Sequence, residues 1–244
     1  MMQDIEREEL LRSFYRVRQA LGLLGLMLPV LLILGGAMSL GGVEPSISDY
    51  YHTILRDIFV GTMSAIGLFL IAYPGHRRRA GERMSDDFVT TIAGVAAFGV
   101  AFFPNEGRFD PEAGETISAL TQAVLGNRAA ALAHYASATV FLLALAYICL
   151  VKFARTARPM RRRVYRVCGW TILAATVGVV IASVFKIAGP DGPQAVVIRF
   201  QIVLWLEVAA VWAFSIAWLT KGRADLTLLS MAQGMAGQGR SSVK

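Results

Sequence analysis

Apolar stretches of about 20 residues recur six times along the chain, at about 20–42, 53–73, 87–103, 130–151, 167–187 and 198–219. Between them, arginine, aspartate, glycine and proline collect in short polar segments. An α-helix rises 1.5 Å per residue, so a run of this length matches the roughly 30 Å hydrocarbon layer of a bilayer. The pattern predicts an all-α fold: a polytopic transmembrane bundle of six helices, carrying short amphipathic helices at its N-terminus and in one outer loop. An even number of spans puts both termini on the same side.

Three polar regions frame the bundle. In residues 1–19, Glu8, Arg12 and Arg16 recur at i, i+4, with Ile5, Leu10, Leu11, Phe14 and Val17 between them. That spacing predicts a surface helix ahead of a transmembrane domain over 20–220. The first apolar stretch is longer than the core of a signal peptide and follows a charged segment, so it reads as an anchor. The longest connection, Pro104 to Arg128, contains Asp110-Pro111-Glu112, which supplies an N-cap, an N1 proline and a first-turn acid, and Gly126-Asn127, which stops a helix. A tail over 221–244 ends in a stretch with three glycines and two serines from Gly234 to Lys244, and disorder is expected there.

Composition agrees with the pattern. At 55% hydrophobic and 17% charged residues, the chain is unlike a water-soluble enzyme. The net charge of +7 would suggest nucleic acid in a soluble protein, but the basic residues lie between the spans. Alternating the loops places 19 of the 24 lysines and arginines on one side, which nets +11, while the other side nets −4. The positive-inside rule then puts both termini in the cytoplasm of a multi-pass inner-membrane protein. Its expected partners are the lipid bilayer and, at the cytoplasmic face, anionic headgroups; nucleic acid is not expected, and a homo-oligomer is compatible with the pattern. Two cysteines, Cys149 and Cys168, exclude a disulfide framework and offer no ligand spacing for zinc.

Polar groups inside spans are costly, which makes them the candidates for chemistry. On a continuous helix, Ser48, His52 and Arg56 would stack at i, i+4, with Asp49, Thr53 and Asp57 as the adjoining row. His134 lies about a turn inside the fourth span and Glu207 near the middle of the sixth. Ser48, Asp49, His52, Arg56, Asp57, His134 and Glu207 are therefore expected to converge on one hydrated cavity opening outward. His52 and His134, with Asp49 or else Asp57 as an oxygen ligand, are the residues that could hold a metal, zinc being the ion these donors suit; no other cofactor is indicated. The bland alternative is helix capping, headgroup-level tyrosines and an internal ion pair. In the third span, Ala93, Ala97 and Ala101 beside Gly94 and Ala96 form a small-residue surface on which a neighbouring helix can lie close.

From Ser46 to Asp57 and on through Ile58-Phe59-Val60-Gly61, the sequence resembles an uncharacterised group of bacterial six-span integral membrane proteins, which implies topology alone. A more distant likeness is to the superfamily of adiponectin-type receptors and alkaline ceramidases, membrane zinc hydrolases. Ser48-x-x-x-His52 is similar to its first motif, and Asp57 or Asp86 is a candidate for its later aspartate. The sixth span has no histidine to match its last motif, and six spans replace its usual seven. Three functions follow as expectations. The leading one is a transporter, channel or small-ligand binding protein with an outward-facing polar cavity. The alternatives are a membrane-embedded zinc-dependent hydrolase of lipids or esters, and a scaffold without a small-molecule site.

Overall fold

The computed structural model describes residues 2–73, 75, 84–106 and 119–223, with the backbone alone at 2–12 and 14. The helix start at Asp110-Pro111-Glu112, the Arg77 loop and the tail beyond 223 lie outside the described residues. Among those described, there are helices and no strands. They are α1 (Met2–Ser39), a 3-10 turn (Ser48–His52), α2 (Arg56–Ile71), α3 (Asp86–Phe102), α4 (Leu120–Leu125) and α5 (Asn127–Tyr147). A π-helical turn (Ile148–Phe153) carries α5 on into α6 (Ala154–Thr156), followed by α7 (Pro159–Ala188), α8 (Asp191–Arg199) and α9 (Ile202–Lys221). The expected N-terminal helix and first span form one continuous rod.

Four stretches are long and apolar enough to cross a bilayer: Tyr15–Ser39, Asn127–Thr156, Pro159–Ala188 and Ile202–Lys221. The chain is accordingly a membrane-embedded helical bundle. The remaining two bundle helices are shorter than expected, 16 residues in α2 and 17 in α3. They rise only about 24 to 26 Å, so length and composition alone mark four spans rather than six.

Packing follows chain order. α1 lies on α2, α2 on α3, α3 on α5, α5 on α7 and α7 on α9, and α9 returns to α1, closing a ring. Leu28, Leu32, Phe59, Ile66, Leu70, Leu145, Ile172, Leu204 and Phe214 are buried. Leu31, Leu34, Val95, Val177, Val184 and Trp205 are exposed, as residues facing hydrocarbon are.

The small-residue face of α3 is fully used: Ala93, Ala97 and Ala101 are each 0% exposed. α2 and α3 approach most closely at two glycines, where a Cβ on Gly94 would sit 2.6 Å from the Gly67 carbonyl oxygen and 3.1 Å from the Ile71 nitrogen. Backbone cannot yield as a flexible side chain can. Gly94→Val is therefore expected to destabilise the bundle by about 1–3 kcal/mol or more, read as a lowered unfolding midpoint in detergent, whereas Gly61→Ala, facing open space, is expected to leave it unchanged.

Candidate functional site

At one end of the ring, the chain leaving α1 turns at Gly41, where φ is +69°, and lays residues 43–47 across the start of α9 as a strap. The strap is held by backbone groups: Leu204 N–H donates to the Pro45 carbonyl at 3.0 Å, and Gln201 Nε2 donates to the Val43 carbonyl at 3.1 Å. Ile47 N–H donates to Glu207 Oε2 at 2.6 Å. The Glu207 carboxyl group thus serves a peptide group of the strap from a helix that would otherwise carry it alone. Beneath the strap, Tyr50 is 0% exposed and its hydroxyl accepts from Glu44 N–H at 3.3 Å. Burial pushes this phenol above its ordinary value, so it stays protonated.

The strap runs into the 3-10 turn, which places residues i and i+3 on one face. Asp49 shares a face with His52, and Ser48 with Tyr51. The continuous helix expected here does not form. Thr53 is extended, at φ −121° and ψ 174°, and its hydroxyl donates to the Tyr50 carbonyl at 2.9 Å while accepting from Leu55 N–H at 3.1 Å. These local bonds satisfy the backbone without helix, so α2 starts afresh at Arg56. Ser48, His52 and Arg56 consequently do not stack. The Arg56 guanidinium instead lies over the Tyr51 ring, 4.3 Å from its centre, and donates to the Tyr51 hydroxyl at 2.7 Å. Asp57 is exposed on α2.

His134 projects from α5 and is 1% exposed. Its Nδ1 lies 2.7 Å from the Phe103 carbonyl and its Nε2 2.9 Å from Ser48 Oγ. A carbonyl can only accept, so the proton of the neutral ring is on Nδ1 and the Ser48 hydroxyl donates to Nε2. Asn105 links the other pair: its Nδ2 donates to Asp49 Oδ1 at 2.7 Å, and its Oδ1 and backbone carbonyl both accept from His52 Nε2 at 3.1 Å. The second carboxylate oxygen of Asp49 accepts from Lys186 of α7 at 2.5 Å, an ion pair whose side chains are 20% and 13% exposed.

Of the seven candidates, Ser48 and His134 meet directly, Asp49 and His52 meet through Asn105, and Glu207 joins through the strap. Arg56 and Asp57 stand apart. Where the sequence predicts an open polar mouth, Ser46, Ile47, Ser48, Tyr50 and Tyr51 are buried and fill it. His52, His134 and Asp49 do not make a metal site: among the described residues, no group of three or more histidine, cysteine, aspartate or glutamate side chains could hold a metal ion. The reason is visible in the bonds, since both His134 nitrogens are engaged and Asp49 is divided between Asn105 and Lys186. Cys149 and Cys168 are free and buried.

Asn105, Lys186 and the Phe103 carbonyl escaped the sequence reading. Lys186 carried a signal, as the one charged residue within Thr171–Ala188, and Asn105 a weaker one, just past the third apolar run after Pro104. Compared with protein-family models, curated proteins and solved structures, the chain matches none.

Proposed function

We propose that the chain is a membrane-embedded hydrolase of ester substrates in which Ser48 is the nucleophile and His134 its base. The observation that carries this reading is the 2.9 Å contact from Ser48 Oγ to His134 Nε2, with the far nitrogen of the ring held by the Phe103 carbonyl. Nucleophile, base and orienting group are the three parts that nucleophilic acyl transfer needs. Both residues are buried, Ser48 at 8% and His134 at 1% exposed.

In the reaction, Ser48 Oγ attacks the ester carbonyl carbon as its proton passes to His134 Nε2. Collapse of the tetrahedral intermediate breaks the acyl–oxygen bond, and the same proton leaves with the alcohol. Water then attacks the acyl-serine, giving one proton to His134, which returns it to Ser48 as the carboxylic acid departs. Lys186 and Asn105 hold the carboxylate of Asp49, the residue that follows Ser48, and so fix the turn that carries the nucleophile.

We place the 3-10 turn on the outer face and the arginine-rich end in the cytoplasm, with α2 and α3 completing six spans; the basic excess of one set of loops and the closed ring of helices support this. Leu120→Cys is expected to react with an impermeant maleimide on intact cells, and Met160→Cys to react only after lysis, both positions being well exposed. The opposite pattern would refute the orientation. A second reading, binding or transport of a small ligand, is supported by the Asp49–Lys186 ion pair and the Glu207 carboxylate at the same end.

The test is covalent capture. A fluorophosphonate is expected to modify the folded protein at Ser48, located by peptide mass spectrometry, and to leave Ser48→Ala unmodified. A folded wild type that takes up no probe, or takes it up equally after Ser48→Ala, removes the hydrolase reading and leaves the ligand-binding one.

A further inference from the structure

The opposite end of the ring carries a second cluster that the ester chemistry does not use. Trp218 of α9 is 0% exposed, yet its indole Nε1 has no hydrogen-bond partner among the described residues. Its ring stands edge-on to Tyr73, with centres 5.0 Å apart, and to Phe153, at 5.2 Å. A cation lies on each of those neighbours: the Arg18 guanidinium 5.4 Å from the Tyr73 ring centre and Lys221 Nζ 4.7 Å from that of Phe153. α1 and α9 are close here, since a Cβ on Gly222 would lie 3.3 Å from Arg18 Cβ.

The cluster has donors in excess. Arg18 Nη2 donates to the Tyr73 hydroxyl at 3.2 Å, but Arg18 Nε is buried and has no partner among the described residues. Tyr73 is 2% exposed, and its hydroxyl accepts that bond and donates to no described residue. The nearby carboxylate, Asp86, is paired with Lys152 at 3.2 Å. Cations alone would be explained by the carbonyl end of α9, where Gln19 Nε2 already donates to the Gly222 carbonyl at 2.9 Å. That explanation leaves the indole N–H and the phenol proton with no acceptor, each a costly omission in a buried place.

We propose that this end of the bundle binds a phosphate-type anion, through Arg18, Lys221, Tyr73 and Trp218. Two positive charges and donors arriving from α1, α9 and the segment after α2 suit an ion with acceptor oxygens on several sides. A planar carboxylate offers two. The source is either a soluble phosphate or the headgroup of an anionic lipid, and the inference stands independently of the Ser48 chemistry.

The experiment uses the full chain in neutral detergent, titrated with inorganic phosphate or with dihexanoyl-phosphatidylglycerol against chloride at matched ionic strength. The readouts are the unfolding midpoint and tryptophan emission. A rise in midpoint with phosphate assigns a soluble anion, and a rise with the lipid alone assigns a headgroup; both support the site. Arg18→Gln and Trp218→Phe are each expected to raise the half-saturating concentration about tenfold or more. Should Arg18→Gln fail to fold, Trp218→Phe, which keeps an aromatic ring, carries the comparison. No response of the wild type to either titrant, or an undiminished response in Trp218→Phe, overturns the proposal.

Discussion

Replacing His134 by glutamine is expected to slow fluorophosphonate capture of Ser48 by about 10²- to 10⁴-fold while the protein stays folded. The amide of glutamine can donate to the Phe103 carbonyl and accept from the Ser48 hydroxyl, as the imidazole does at 2.7 Å and 2.9 Å. What it cannot do is take up the proton. The loss therefore reports base catalysis rather than packing, a separation that His134→Ala would blur by emptying a site only 1% exposed. Capture rates measured against probe concentration, beside unfolding midpoints for both proteins, decide the point. Equal rates in His134→Gln and the wild type would show that Ser48 owes nothing to the histidine.

The second large effect is expected at Lys152, and it concerns stability. The π-helical turn brings this lysine, 3% exposed at its side chain, to Asp86 at 3.2 Å and to the Met84 carbonyl at 2.5 Å. Lys152→Met keeps the chain length but takes the ammonium away from a carboxylate that is 14% exposed. Breaking a buried pair from one side costs up to about 3–5 kcal/mol, because the remaining charge loses an opposite charge without regaining water. Adding Asp86→Asn should recover a good part of that loss, as removal of both charges often comes near neutrality. Unfolding in mixed detergent micelles measures both variants. A double variant no more stable than Lys152→Met would mean that Lys152 acts by filling space rather than by charge.

The helical class and the membrane setting could be read because apolar run length is a property of each segment by itself. Interruptions shorter than a turn could not. The last apolar run, marked from 198, contains a left-handed Gln201 at φ 50° that separates α8 from α9, and no residue type there announces it. The same limit governs the site. Ser48, Asp49, His134 and Glu207 stood out because polar groups are conspicuous in apolar runs, and each of them belongs to the observed cluster. Their arrangement was misjudged at Thr53, where a hydroxyl serving its own neighbours defeats the helix that i, i+4 spacing assumes. Asn105 and Lys186 were invisible for another reason: their meaning lies in partners 56 and 137 residues away.

Distance along the chain also bears on how the protein is made. Ile47 meets Glu207 across 160 residues, and Pro45 waits for Leu204. A chain emerging from the ribosome presents Ser48 early, with His134 following, but the strap that buries the turn has nothing to rest on until α9 has entered the bilayer. The pairing of Ser48 with His134 is thus secured only when synthesis is nearly finished. A serine whose setting is completed by α9, the last of the described helices, stays unarranged among the lipids of the membrane into which the chain is still being threaded.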